Sequence, residues 1–474
     1  MLQSINTFCT ASYILRTAVI RTAMLIALLT GVCFAQLGGQ GGQGGQAGMG
    51  GGGGFGGPAV LGRGIGSGTG QRGGGDVGLR FYAGVTATFD TGLSGFVLDP
   101  NGALTDQSTK GVDAVLGFYG TKRLRRGQFG VNYQGGYHQS TIKLYSGIDQ
   151  ALSLFYSTQT TKRSQFSFNG SVGTTNRAIG VPITGGILDN SSGYSIPTTE
   201  LFDNRFYYGN AGLQYVIQKS ARLSFGLTGS GFLTRRTGNV LFGFNGSSSG
   251  ANAAYRVSRR QTLSLGYQFF FYNFTRNFGD SYGHSVYAGY SAQLTSGISL
   301  SLQGGVTRLE SLGLRTVSID PIIAALIGIG TTQQVYYGTS YIPNARATLS
   351  IRVTKRSSLS ASGGLFVSPG NGIINTSRNL SAGASYSYTG FRIASLGAGT
   401  SYNRLSSVVG DHQTFVSINT SVSASRRLAG NFFVTANAGN RKFLQSETNT
   451  YKRNTFFAML GIYWSPGELP LAIR

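Results

Sequence analysis

Cysteine is almost missing from this 474-residue chain, and its two copies, Cys9 and Cys33, both sit near the N-terminus. If that segment is removed on export, the mature chain carries no thiol, which excludes a disulfide framework and a cysteine metal site. Acidic residues are scarce too, 15 against 39 Lys and Arg, and charged residues of all kinds make up only 11%. A soluble domain exposes far more charge than this. Long hydrophobic runs are also lacking: beyond the N-terminus the longest is Ile322 to Ile329, well short of the roughly 20 apolar residues of a membrane helix. That excludes a helical membrane protein.

Glycine and aromatics fill the space these absences leave, with 75 Gly, 30 Phe and 25 Tyr. Mean hydropathy is close to zero, as expected where each strand is apolar on one face only. The chain divides into three expected parts. Residues 1–35 read as a signal peptide: Arg16 and Arg21 precede the apolar stretch Ala23 to Val32, and Cys33, Phe34 and Ala35 lead to a cleavage point before Gln36. Lipidation of Cys33 is disfavoured because Val32, not a small residue, precedes it. Residues 36–78, mostly Gly and Gln, cannot bury apolar surface and read as a flexible linker. Residues 79–474 form the third part. Removing Arg16 and Arg21 lowers the formal charge from +24 to +22. Such a surplus suits nucleic acid in a soluble protein, but export and the strand pattern argue for a membrane instead.

The repeating unit is a hairpin, clearest from Ala254 to Phe274. Leu263, Leu265, Tyr267, Phe269 and Phe271 alternate with Thr262, Ser264, Gly266, Gln268 and Phe270, so opposite faces of one extended strand are apolar and polar. The tight turn Ser258, Arg259, Arg260 joins it to the strand before. About eighteen such strands (16 to 18) follow one another, the first near Leu79 to Thr91 and the last near Thr455 to Trp464. Connections alternate short and long, which is the up-and-down meander of an antiparallel barrel. Two of the expected strands, Ile298 to Leu309 and Ala345 to Thr354, are separated by the longest expected loop, Glu310 to Asn344. Its apolar centre suits docking against the wall, outward adhesion or a helical lid.

On this architecture the chain from about Leu79 to Trp464 resembles the transmembrane β-barrels of Gram-negative outer membranes, and its strand number is similar to porins specialised for sugars or small carboxylates. The resemblance implies an all-β transmembrane barrel, insertion by the barrel-assembly machinery, contact with outer-membrane lipid and lipopolysaccharide, and passive diffusion of small hydrophilic solutes. It also allows a homo-oligomer, and it offers no role for nucleic acid or for a cofactor. Such barrels end on an aromatic at the close of the last strand. Here Phe456, Leu460, Ile462, Tyr463 and Trp464 supply that strand, but Ser465 to Arg474 continue past it.

The short turns collect Lys122, Arg123, Arg125, Arg126, Lys162, Arg163, Arg259, Arg260, Lys355, Arg356, Arg426 and Arg427. They would make a basic periplasmic rim, through snorkelling toward anionic headgroups or by drawing anions to the pore. A second set lies at the other ends of the strands: Arg177, Arg205, Arg235, Arg236, Arg276, Arg308, Arg315, Arg346 and Arg404. Facing inward they would form an anion-favouring constriction; facing outward they would pair with lipopolysaccharide phosphates. Small uncharged residues line one face of the strands, as in Ser224, Gly226, Thr228, Ser230 and in Ser417, Asn419, Ser421, Ser423. They cannot fill a barrel of this size, so the expectation is an aqueous lumen. The reading is therefore a channel leaning toward anions, or alternatively a structural or adhesive barrel with a blocked lumen and partner-binding loops.

No enzyme is expected. His138, His284 and His412 are isolated in sequence with no ligand-spaced neighbour and read as solvated rim residues, so neither a metal nor a catalytic site is assigned. Asp90 and Asp113 can approach each other on neighbouring strands, but no histidine is assignable to them.

Overall fold

The computed structural model describes residues 77–91, 108–142, 146–175, 205–237, 242–275, 278–320, 330–369, 375–391, 393–408, 414–446, 452–466 and 468–471, with a few positions between 322 and 328. The expected signal peptide and nearly all of the expected linker lie outside the described residues, as do Arg177, Arg276 and His412. Strands follow in chain order: β1 Val77–Asp90, β2 Thr109–Leu124, β3 Gly127–Ser140, β4 Gly147–Thr161, β5 Ser164–Thr175 and β6 Phe206–Gln218. Next come β7 Leu223–Arg236, β8 Gly243–Arg256, β9 Gln261–Thr275, β10 Gly279–Thr295, β11 Ile298–Ser318 and β12 Thr331–Thr354. The last are β13 Ser357–Ser368, β14 Ser377–Tyr388, β15 Ala394–Ser407, β16 Thr414–Arg427, β17 Phe432–Ser446, β18 Lys452–Trp464 and β19 Glu468–Leu471. From β1 to β18 each pairs antiparallel with its successor, and β1 pairs with β18 as well as with β2. The sheet is a closed antiparallel barrel of eighteen strands, the fold expected from the alternating pattern.

Register fixes which residues face where. Thr86 pairs with Asp113, and Asp113 with His138, so these three share the inner face. Their strand neighbours Val85, Val112 and Tyr137 are 55%, 50% and 50% exposed on the outside. The same outer row holds Val172, Leu265, Val286, Val306, Val422, Leu460 and Ile462, all exposed. An apolar row this exposed around a whole circumference suits hydrocarbon and not water. The inner row instead bonds to itself through short hydroxyls, Ser230 to Ser248 at 2.9 Å, Ser358 to Ser387 at 2.7 Å and Ser395 to Ser425 at 2.6 Å. Where an inner aromatic occurs, glycine often faces it: a Cβ on Gly117, Gly84, Gly266 or Gly439 would overlap the ring of Tyr82, Tyr463, Tyr287 or Phe457. Large rings thus lie flat along the wall, a known way to hold register in a curved sheet.

The short turns close by a shared local device. A hydroxyl accepts the backbone N–H two residues on, Thr161 from Arg163 and Thr354 from Arg356, and Ser220, Ser258 and Thr295 act alike. This ST-turn leaves the Lys and Arg side chains free to point outward. In the Arg426 to Gly430 turn, Gly430 takes φ +60 and its carbonyl accepts from Arg427 Nε and Nη2 at 3.1 and 2.9 Å. Glycine adopts that φ without steric cost.

Two segments differ from their expected form. The Glu310 to Asn344 stretch is mostly strand: β11 and β12 stay paired from Ile298↔Ile351 to Ser318↔Thr331, a ribbon that projects beyond the long-loop end. β13 meets β12 only from Ala345 onward. Earlier residues of β12 therefore have a partner on one side, and Pro343 is tolerated at such an edge. The ribbon does not dock on the wall, since Ile322 and Leu326 at its tip are 82% and 86% exposed. The C-terminal tail is the second case. After a one-residue register shift, from Ala83↔Trp464 to Arg80↔Glu468, β19 continues the path of β18 along β1.

Candidate functional site

Eighteen strands spaced about 4.8 Å apart make a perimeter on the order of 90 Å before tilt is counted. The lumen they enclose has two regions. Toward the short-turn end, inner-face Thr121, Gln128, Thr228, Ser301, Ser350 and Arg352 are exposed, so water reaches the wall. Toward the long-loop end the inner face is dry: Asp90, Asp113, His138, Tyr208, Thr234, Tyr272, Ser281, Leu309, Ile342, Leu405, Arg441 and Phe457 are all less than 9% exposed. The lumen is a cup, wet at the short-turn side and packed at the other.

One wall of the packed end is charged. Arg441 on β17 lies over the Phe457 ring of β18, 4.2 Å from its centroid, and Nη1 reaches Asp90 Oδ2 on β1 at 3.2 Å. Next to it, His138 Nδ1 pairs with Asp113 Oδ1 while the imidazole lies over Gly111. Nε2 of that ring and Thr109 Oγ1 are buried with no hydrogen-bond partner. This corrects the expectation for His138, which is neither solvated nor isolated. It stands 25 residues from Asp113 in sequence, and cross-strand pairing alone joins them. His284 faces the opposite way, on the outer surface, with Nδ1 2.7 Å from the Tyr267 hydroxyl.

Across the barrel, nine strands away, the wall is apolar. Phe244 and Phe242 meet Phe270, Tyr272 and Phe274, with Leu309, Ile342 and Val367 continuing the cluster. The alternation in β9 predicts only small or polar partners for its apolar outer row up to Gln268; beyond it Phe270, Tyr272 and Phe274 are the inner row. Thr376, which leads into β14, places Oγ1 2.5 Å from Ser281 Oγ on β10. Those strands are four spacings apart, about 19 Å of wall, so the chain entering β14 leans across the inner face of β11 to β13. Among the described residues, these large side chains and this strap line the packed end.

The arginines at the long-loop end do not share one ring. Arg236 lies on the inner face and is 6% exposed, and Arg346 is inward with its guanidinium 5.8 Å from the Phe366 centroid. Arg235 and Arg404 take outer positions. Arg308 is also outward, 2.6 Å from Glu310, whose other oxygen accepts from the Tyr337 hydroxyl at 2.9 Å; that hydrogen bond raises the Tyr337 pKa. Arg205 precedes β6 at the same rim, and Arg315 lies in the ribbon part of β11. At the short-turn end Arg125, Arg126, Lys162, Arg163, Arg259, Arg260, Lys355, Arg356, Arg426 and Arg427 are exposed, Lys122 is half-buried, and Arg123 lies near the end of β2. Further inner-face cations, outside the expected constriction set, are Arg80, Arg256 and Arg352. Register parity finds them once one inner residue per strand is known. Among the described residues no three metal-ligating side chains converge.

No protein-family model matches the chain, and neither does any curated protein. Solved structures similar to it include Pseudomonas aeruginosa OccK5 (OpdH), 10% identical, over 84% of this chain and 99% of that one, with a TM-score of 0.39. Pseudomonas aeruginosa OccK2 (OpdF) in complex with glucuronate is 9% identical over 82% and 98%, TM-score 0.41. The FrpB iron transporter from Neisseria meningitidis is 7% identical over 81% of each, TM-score 0.38. Likenesses this distant carry no argument about solute or mechanism, which rest on the lumen itself.

Proposed function

We propose that the protein is an outer-membrane channel for passive diffusion of small hydrophilic solutes, with a preference for anions. The carrying observation is the wet region of the lumen, an eighteen-strand bore lined by hydroxyl, amide and glycine positions too small to fill it. The short-turn end is the periplasmic one, as the linker and basic rim require, and the packed end is the outer mouth. Export by the N-terminal segment, insertion by the assembly machinery and contact with lipopolysaccharide belong to the same reading. Charge supports the anion preference. The inner face carries Arg80, Arg236, Arg256, Arg346, Arg352 and Arg427; of its acids, Asp90 and Asp113 are paired with Arg441 and His138, and Asp149 lies toward the packed end near Tyr208. Cations on a pore wall favour anionic solutes.

The packed outer end favours a second reading, a barrel whose lumen is blocked and whose outer surface binds a partner. One experiment separates the two. Purified protein in a planar bilayer, under a KCl gradient, is expected to give discrete conductance steps and a reversal potential displaced toward that of chloride. No steps at any voltage leaves the blocked barrel standing, and a potassium-side reversal removes the anion preference.

A further inference from the structure

Between the β8–β9 turn and the short-turn end of β10 the barrel holds a cavity of about 400 Å³, lined by Ser258, Arg259, Arg260, Gln261, Ala292 and Leu294. Register puts it on the lipid side of the wall. Gln261 pairs with Ala292, two residues along β9 from the outward Leu263, and Leu294 shares the outer row of β10 with Ala292 and is exposed. The small Ala292 side chain leaves the space. The next turn does not fill it, because Thr295, Ser296 and Gly297 bring neither charge nor bulk.

The cations at this cavity are unspent. In other turns Arg356 donates to the Gly390 carbonyl at 3.1 Å and Arg427 to that of Gly430, whereas among the described residues the Arg259 and Arg260 side chains have no hydrogen bond or ion pair. Ser258 Oγ accepts the Arg260 N–H at 3.2 Å, which leaves its own proton to donate, and the Gln261 amide offers two more donors. No acid competes. The described acids of β8 to β11 are Asp280 and Glu310, both toward the long-loop end. Positive charge and donors therefore line one side of the cavity, while Leu294, Leu263 and Leu265 carry an exposed apolar lane away from it along the outer face. An anionic head and an apolar tail are both matched.

We infer that this cavity binds the phosphate of one anionic phospholipid, with Arg259, Arg260, Ser258 and Gln261 around the phosphate oxygens and an acyl chain along Leu294, Leu263 and Leu265. Guanidinium matches phosphate in shape as well as charge. A zwitterionic head would bring its own ammonium beside two arginines, and free phosphate has no chain for the apolar lane. The basic rim as a whole attracts headgroups without distinction; this is a discrete site within it. The inference rests on the outer-membrane reading for the phospholipid leaflet at this end, and it does not require an open lumen.

Native mass spectrometry of the full-length mature protein, released from detergent micelles with phosphatidylglycerol or phosphatidylcholine added, counts the lipids that stay bound. One phosphatidylglycerol per barrel is expected to survive where phosphatidylcholine does not. A basic side chain near an anionic surface is worth about fivefold in binding, so Arg259→Gln with Arg260→Gln should weaken retention about 25-fold. Arg125→Gln with Arg126→Gln, an equal loss of charge at the β2–β3 turn, should leave it unchanged. Both pairs are exposed, so neither variant threatens folding. Equal losses in the two variants, or equal retention of the two lipids, would reduce the effect to general charge and overturn the site. Displacement of the lipid by millimolar inorganic phosphate would overturn its assignment to a phospholipid. Conductance in planar bilayers is read separately: a barrel that retains the lipid without conducting supports the site and sinks the channel, and conductance with no retained lipid overturns the site and leaves the channel.

Discussion

Replacing Arg441 by methionine tests how the barrel holds itself shut. The guanidinium bridges from β17 over β18 to Asp90 on β1, so the pair ties the C-terminal strands to the first strand across the closing seam. Both side chains are nearly dry, 10% and 8% exposed. Unit charges 3.2 Å apart attract by about 5 kcal/mol at an effective dielectric of 20, and the desolvation of both groups offsets part of that. Removing the arginine alone leaves a carboxylate buried without its cation, and such losses cost about 3–5 kcal/mol. Methionine keeps the contact with Phe457, so the change isolates charge. Urea unfolding in detergent micelles, followed by the emission of the single tryptophan, Trp464 on β18, should show a loss of about 3–4 kcal/mol for Arg441→Met. Asp90→Asn combined with Arg441→Met should recover part of it, a coupling on the order of 2 kcal/mol. A single-mutant loss under about 1 kcal/mol, the range of an exposed pair, or strict additivity in the cycle, would refute the clamp.

Gly117→Val should destabilise the barrel by about 1–3 kcal/mol, because its Cβ would overlap the buried Tyr82 ring. Gly304→Ala, where a Cβ meets nothing within 4 Å, is the control and should leave the unfolding midpoint unchanged; equal effects would reject the ring-over-glycine account. Deleting residues 316–333 and joining Arg315 to Gln334 by a two-residue turn should leave single-channel conductance as it was, since the ribbon stands clear of the lumen. A rise in conductance would mean that the ribbon occludes the mouth.

Much of the barrel follows from local sequence. The two-residue alternation in segments such as Thr262 to Phe271 separates an outer apolar row from an inner polar one, and the Ser/Thr-x-Arg turns at Thr161, Ser220, Ser258 and Thr354 mark where hairpins reverse. These are nearest-neighbour effects of a pleated strand and a hydroxyl-capped turn, so strand number, the order of short and long connections and the polar lining were all legible. The β11 and β12 ribbon was not, because Ile322 to Ile329 reads as a buried run when nothing shows that strand pairing continues to Ser318 and Thr331 on either side. Tertiary structure alone decided the rest. Whether His138 meets Asp113, whether Arg441 meets Asp90 351 residues away, and whether Thr376 reaches Ser281 depend on barrel closure and on the stagger between strands. A one-residue slip in that stagger would turn every one of these side chains to the opposite face. The wet lower lumen and the dry outer end above it come from the same cause: alternation sets which residues point inward, and only the closed sheet decides which of them meet.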